Sequence, residues 1–327
     1  MATTTGPSGG AATGRAEPDS TRATRDLLTR PDRRRQAVDR TMRVVVAAAF
    51  LLAMVPLVSL VWIVVAEGVE RLSPYFLAVS MRGVFGGMDA GGIYHAIVGT
   101  LLVTGAAAVI SVPIGIMTAV YLVEYGRGAL ARAVTFFVDV MTGIPSIVAG
   151  LFAYALFALL LGPGVRMGVV GAVALSVLMI PVVVRSTEEM LRLVPNELRE
   201  ASLALGVPKW RTIVKVVLRT ATGGIVTGVM LSVARVIGET APLLITLGVV
   251  DSINTNLFEG RMMTLPVYIF RQYSQGLVPC RPDQADCIAT INFDRAWAAA
   301  LVLVVIVLLL NLLARLVARR FAPARGH

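Results

Sequence analysis

The sequence predicts an all-α polytopic membrane protein with six transmembrane helices, and two observations carry that prediction. Of its 327 residues, 56% are hydrophobic and only 15% charged, against about 45–50% and 25% in an average soluble domain. Several apolar runs of roughly 20 residues, nearly free of charge, have the length a helix needs to cross a hydrocarbon core about 30 Å thick. An ordinary cytosolic globule is excluded.

Residues 1–43 are rich in Gly, Thr, Ala and Arg, lack an apolar period and read as a disordered basic cytoplasmic tail. Within it, Arg33, Arg34 and Arg35 are either a solvated charge run or a hold on anionic lipid headgroups. The run from Val44 to Val65 is too long for a signal-peptide core and follows too long a basic region, so it reads as a retained first transmembrane helix. After an external loop at 66–94, a core at 95–315 holds five further spans, at about 95–121, 135–160, 167–184, 220–250 and 296–314, followed by a tail at 316–327. Gly143 and Pro145 interrupt the third span, Gly238 and Pro242 the fifth, and the short fourth carries Pro181. Broken helices at membrane depth are tolerated where they line a cavity or where neighbouring helices satisfy the freed backbone.

Of the 30 lysines and arginines, 22 fall in the tail, the 122–134 and 185–219 loops and the C-terminal end, whereas 7 fall in 66–94, 161–166 and 251–295. The positive-inside rule then places both termini in the cytoplasm. That distribution also explains the net charge of +10 without a nucleic-acid partner. His95 and His327 are isolated and no CxxC pair exists, so no metal site is expected. The only cysteines, Cys280 and Cys287, lie in the 251–295 loop on the oxidising side and are candidates for a disulfide. Trp62, Tyr94, Tyr121 and Trp297 sit near span ends and read as interfacial anchors.

The coupling segment, about 185–215, encodes helix, turn, helix. Asn196 is a suitable N-cap, Leu198, Ala201, Ser202 and Leu205 recur at helical spacing as one small-to-apolar face, Gly206 suits a left-handed helix end, and Pro208 starts the next helix. A short exposed helix of this kind fits a partner's groove or lies on the membrane surface.

These residues resemble a known pattern. Glu200-Ala201-Ser202 followed by Gly206 is similar to the EAA loop of importer-type ABC permeases, although Val216-Val217-Leu218-Arg219 lacks the proline that ends the family motif. Downstream, Ala234-Arg235-Val236-Ile237-Gly238-Glu239-Thr240-Ala241-Pro242-Leu243-Leu244 resembles the A-subunit permease of phosphate-specific importers, a group that commonly lacks that proline. The resemblance covers about 95–315. It implies a type I ABC importer permease fold in the bacterial inner membrane, and a heterodimer with a homologous second permease subunit. It further implies two ATPase subunits and an external phosphate-binding protein. Glu200, Ala201, Ser202 and Gly206 would then be the residues that couple to the ATPase. Nothing here resembles a phosphate-cradling Walker A loop, so the chain is expected to be no enzyme and to hold no cofactor, ATP and Mg being bound by the partner ATPase.

Charges at membrane depth complete the reading. Arg235 and Glu239 are four residues apart, which on a helix places them on one face. Two roles stand open: a structural ion pair, or a substrate contact in which Arg235 offers its donor fork to phosphate, Glu239 holds the arginine until the anion arrives and Thr240 adds a hydroxyl. Asp139, just before the Gly143-Ile144-Pro145-Ser146 break, stands equally between the pathway and an interface. Two rival functions are a secondary anion carrier driven by an ion gradient through Asp139, Arg235 and Glu239, and an ABC permease for phosphonate, sulfate or molybdate.

Overall fold

The computed structural model describes residues 33–281 and 286–321; helix is their only regular secondary structure apart from one isolated bridge between Met88 and Cys287. The greater part of the N-terminal tail, residues 1–32, and the final residues 322–327 lie outside the described residues. The first helix, α1 (Arg33–Arg71), begins well before the apolar run. Arg, Gln and Ala are good helix formers and no Gly or Pro interrupts 33–43, so the helix extends into residues read as tail. An exposed Arg43–Asp39 pair of 2.8 Å spans one turn of that extension, a contact worth only a few tenths of a kcal/mol. Of the described residues, those from Arg33 to Val61 form one unit and those from Trp62 onward a second, and the elements below belong to the second.

Ser73 starts the short helix α2 (Pro74–Ala78) by accepting the Phe76 N–H at 3.2 Å. The long α3 (Tyr94–Val120) ends in a π-helical turn at Tyr121–Tyr125. Then come α4 (Gly128–Thr142), α5 (Ser146–Leu161), α6 (Gly168–Arg192), α7 (Asn196–Ala204) and α8 (Lys209–Thr212). A second π-helical turn at Ile213–Val217 leads into α9 (Leu218–Val236), followed by α10 (Ala241–Thr246), α11 (Leu265–Gln275) and α12 (Ile291–Phe321).

Among the described residues, five continuous helical stretches are long and apolar enough to cross a membrane: 34–71, 94–125, 168–192, 209–236 and 291–316. A sixth span arises if α4 and α5 count together, but they meet at 109°. The 135–160 segment is therefore no straight helix. Pro145 lacks an N–H and drives Ile144 out of the helical region, so α4 closes at Gly143, whose N–H reaches Val140 O at 3.0 Å, and α5 starts afresh. The 220–250 segment likewise stops at Val236 and resumes as α10. Conversely, α6 runs through Pro181 to Arg192, eight residues beyond the boundary read at 184, with Pro181 buried among the helices that pack around it. The 251–295 loop contains α11, and α12 extends past 315 to Phe321.

Helix α6 is the most buried of the spans. It packs most extensively on α3, and also on α4, α5, α9 and α10. Leu175, Met179 and Val183 of α6 join Ala96, Val103 and Ala107 of α3 in the main apolar cluster, which also takes in Met262, Met263 and Tyr268. A second cluster, Ala119, Val138, Val184, Leu191, Val217 and Ala221, ties the same helices together near α7. Lipid is as apolar as leucine, so close fit rather than escape from water holds these helices together.

Candidate functional site

The two helix breaks read from the sequence meet. Gly150, one turn into α5, lies against Pro242, the second residue of α10, so closely that a Cβ on Gly150 would sit 2.6 Å from Pro242 Cα and 3.0 Å from its carbonyl oxygen. Only a residue without a side chain allows that approach, and it brings the restart after Pro145 and the restart after Gly238 into one contact. Irregular backbone at this depth is the usual construction of a binding or translocation site in transporters.

Arg235 occupies the last turn of α9 and is exposed; Glu239 and Thr240 lie half-buried in the break. The expected one-face pairing of Arg235 with Glu239 is not formed: among the described residues no ion pair links them. Four-residue spacing aligns side chains only while the helix continues, and here it closes at Ile237, with the Glu239 N–H turning back to Val236 O at 3.1 Å. Thr240 becomes the residue before α10, its carbonyl accepting the Leu243 and Leu244 amides at 3.1 and 3.0 Å. Arg235 thus places a cation at a helix C-terminus, a favourable position, with its guanidinium uncommitted to a carboxylate.

Asp139 is not part of that group. It accepts from Arg185 of α6, whose other terminal nitrogen donates to Glu188 at 2.9 Å; Glu188 in turn accepts from Arg192 at 2.6 Å. Glu188 is the buried member, 8% exposed, and Asp139 the exposed one at 58%. This chain of four charges fastens α4 to α6. A span ending at 184 leaves Arg185 and Glu188 in a loop, whereas α6 continues as helix through both. The signal was present in the i, i+3 and i, i+7 spacing of Arg185, Glu188 and Arg192.

The coupling segment folds as helix, turn, helix. Pro195 rather than Asn196 is the N-cap residue, and the Asn196 Oδ1 instead accepts from Arg199 at 3.2 Å. Gly206 has φ +73°; its N–H bonds Leu203 O at 2.9 Å and the Val207 N–H bonds Ser202 O at 3.3 Å, the paired closure that a left-handed residue permits. Glu200, Ala201 and Gly206 are exposed, as are Leu198 and, at 83%, Leu205. Ser202 faces inward, its hydroxyl 2.9 Å from that of Thr212 in α8. Arg199, which the sequence reading did not single out, anchors the helix: it donates to Glu124 Oε1 at 3.0 Å, Val194 O at 2.6 Å and Leu191 O at 2.9 Å. Lys209 donates to the Glu124 carbonyl and lies 4.6 Å from the Tyr125 ring centre. The result is an outward apolar surface on a fixed base.

At the other end of the helices Cys280 and Cys287 are joined in a disulfide, their Cα atoms 5.7 Å apart. The Ile288 N–H bonds Gly87 O at 2.9 Å beside it. Arg295 donates to Met88 O and Ala90 O at 2.7 and 2.8 Å, and Arg71 pairs with Asp89 at 2.8 Å. Burial raises the pKa of the Tyr268 phenol in α11, which therefore stays neutral. Among the described residues no three His, Cys, Asp or Glu side chains converge as a metal site would require.

Residues 111–326 match the family model described as binding-protein-dependent transport system inner membrane component. The chain is 49% identical over 280 residues, 85% of its length and 85% of the relative, to the phosphate transport system permease protein PstA 1 of Mycobacterium tuberculosis (strain ATCC 25618 / H37Rv). It is 38% identical over 278 residues, 84% of its length and 93% of the relative, to the phosphate transport system permease protein PstA of Pasteurella multocida. Among solved structures, the fold resembles a chain of the inward-facing MetNI methionine ABC transporter, with TM-score 0.53 and 20% identity over 77% of this chain and all of that one. It also resembles one of a bacterial alginate ABC transporter, with TM-score 0.59 and 14% identity over 92% of this chain and 96% of that one.

Proposed function

The chain belongs to the family of binding-protein-dependent transport system inner membrane components, and from that membership we propose that it is a permease subunit of an ATP-driven inorganic phosphate importer. The family and the apolar helices make it a multi-pass inner-membrane protein working with ATPase and substrate-binding partners. The finer composition, a heterodimer with a homologous second permease, two ATPase subunits that bind ATP and Mg, and an external phosphate-binding protein, belongs to the same reading. So does an orientation with α7 in the cytoplasm and the disulfide end outside, supported by the distribution of arginines.

The observation that carries the proposal is Arg235: an exposed guanidinium in the last turn of α9, next to the backbone break, with no carboxylate paired to it among the described residues. A charge at membrane depth is expensive unless it faces a partner or a water-filled path. A planar fork of N–H donors matches the oxygen edge of a phosphate. In this reading Glu239, in the break itself, limits how tightly the anion is held, and Thr240 adds a hydroxyl donor. One arginine is little for phosphate, so the second permease is expected to contribute another cation.

The outward surface of α7 is the coupling element. Glu200, Ala201, Leu205 and Gly206 would enter a groove of the ATPase, the glycine permitting the tight closure and the small side chains the close approach. An ion-driven carrier has no use for such a helix, which favours the ABC reading over that rival.

The test is phosphate uptake by cells carrying the full complex, wild type against Arg235→Gln, with ATP turnover and copurification measured alongside. Loss of uptake with assembly and ATP turnover retained is the expected result. Normal uptake by an assembled Arg235→Gln complex would leave Arg235 out of the pathway and sink the proposal in this form.

A further inference from the structure

The disulfide end holds a partly open polar cavity that the pathway described above does not use. It measures about 370 Å³ and lies between the turn at 81–86, the face of α11 bearing Arg271 and Gln272, and the first turn of α12 with Asn292 and Arg295. Two guanidinium groups and a single carboxylate, Asp251, line it, so the lining is net cationic. Arg271 Nη1 donates to Asp251 Oδ1 at 2.6 Å, which engages one of its five N–H donors. Arg295 is 2% exposed, and the carbonyls of Met88 and Ala90 hold its Nη2.

A second observation points to a ligand. Nine buried side-chain polar atoms lack a hydrogen-bond partner among the described residues, and seven of them gather at this end: Arg71 Nε, both ring nitrogens of His95, Thr264 Oγ1, Tyr268 Oη, Gln272 Oε1 and Arg295 Nε. Of these residues, Gln272 and Arg295 line the cavity. Native interiors rarely leave polar atoms unmatched, and the set includes two guanidinium N–H donors, Arg71 Nε and Arg295 Nε, and two hydroxyls that can donate, Thr264 and Tyr268. The volume equals on the order of a dozen waters, room for a tetrahedral oxyanion that keeps part of its hydration shell and too little for a folded partner.

We propose that this cavity is an external subsite for inorganic phosphate, held between Arg271 and Arg295 before the anion enters the helical pathway. The proposal rests on the import reading given above. Asp251 competes with the anion for Arg271, which keeps the site weak enough to release phosphate inward.

The measurement is exchange broadening of the ³¹P resonance of inorganic phosphate by the purified permease–ATPase complex, without nucleotide or binding protein, in phosphatidylcholine nanodiscs. The wild type is expected to broaden the line at millimolar phosphate. Arg271→Gln should bind about tenfold more weakly, whereas Asp251→Asn should bind several-fold more tightly. A merely structural pair predicts loss from both substitutions, and that result, or equal broadening by wild type and Arg271→Gln, overturns the subsite. If replacing a third of the lipid by phosphatidylglycerol abolishes the broadening, the cavity takes lipid headgroup phosphate and the assignment to free phosphate is wrong. Intact uptake without this binding removes the subsite alone; binding without uptake removes the import reading alone.

Discussion

Replacing Arg199 by methionine separates the base of the coupling helix from its outward surface. The substitution keeps most of the aliphatic stem and removes the guanidinium that joins α7 to the ends of α3 and α6. Arg199 is 16% exposed and its partner Glu124 8%, so the change strands a nearly buried carboxylate together with the carbonyls of Leu191 and Val194. Breaking a buried pair in this way costs about 3–5 kcal/mol. Taking the lower figure, because carbonyls at a helix end recover some water, α7 should open locally about 3 kcal/mol more easily, on the order of a hundredfold in equilibrium constant. Hydrogen exchange of the amides in 196–204 within the purified complex reads this directly, and copurification of the ATPase should fall with it. Glu124→Gln should give part of the same loss, and the double variant should be less damaged than the two losses added. Unchanged exchange in α7, or effects additive to within about 0.5 kcal/mol, would show that the Arg199–Glu124 contact does not hold the helix.

Three further outcomes are expected. Gly206→Leu meets no steric obstacle, since nothing lies within 4 Å of the added Cβ, but at φ +73° it strains the backbone by about 1–2 kcal/mol; the permease should assemble in the membrane while ATPase copurification drops, and Gly206→Asn should restore most of it. Gly150→Val should separate α5 from α10 and abolish uptake, while Gly105→Ala, which meets nothing within 4 Å, serves as the tolerated control in the same uptake assay. Glu188→Gln should lower the thermal unfolding midpoint of the complex more than Asp139→Asn, because Glu188 is buried between two arginines and Asp139 is mostly exposed; the reverse order would mean that the exposed end of the chain of charges is the one that matters.

The spans and both breaks were legible because the features that produce them are local. Apolar runs reveal themselves by length, and the proline at 145 and the glycines at 143, 206 and 238 act on their own backbone. The π-helical turns at 121–125 and 213–217 left no comparable mark, since their residues suit an ordinary helix equally well. Long-range polar contacts were the other omission. Arg199 reads as one more surface arginine until Glu124, 75 residues away, is seen beside it. The Arg235–Glu239 pairing failed for the opposite reason: a correct spacing rule was applied across the point where the helix it presumes has ended.

Helix α6 connects these parts. Arg199 bonds the carbonyls of Leu191 and Val194 at its C-terminal end, so α7 cannot tilt without either dragging that end or breaking hydrogen bonds to a charged donor. Three residues further in, Glu188 is clamped by Arg192 and Arg185, and Arg185 reaches across to α4 just before the Pro145 break. Along its remaining length α6 packs on α5 and α10, the two segments that restart after the breaks. A tilt of α6 that carries α5 and α10 with it preserves the contacts among those three and shifts α6 against its remaining neighbours, α9 among them, whereas an independent slide of α6 would disturb all of its well-fitted contacts at once. A force applied at α7 therefore reaches both breaks most directly as a tilt of α6, with the Gly150–Pro242 contact moving as one piece. Cross-linking α5 to α10 at neighbouring positions should then leave uptake intact, while cross-linking α6 to α9 should stop it; block of uptake by the first cross-link would mean that the two restarts move apart during transport.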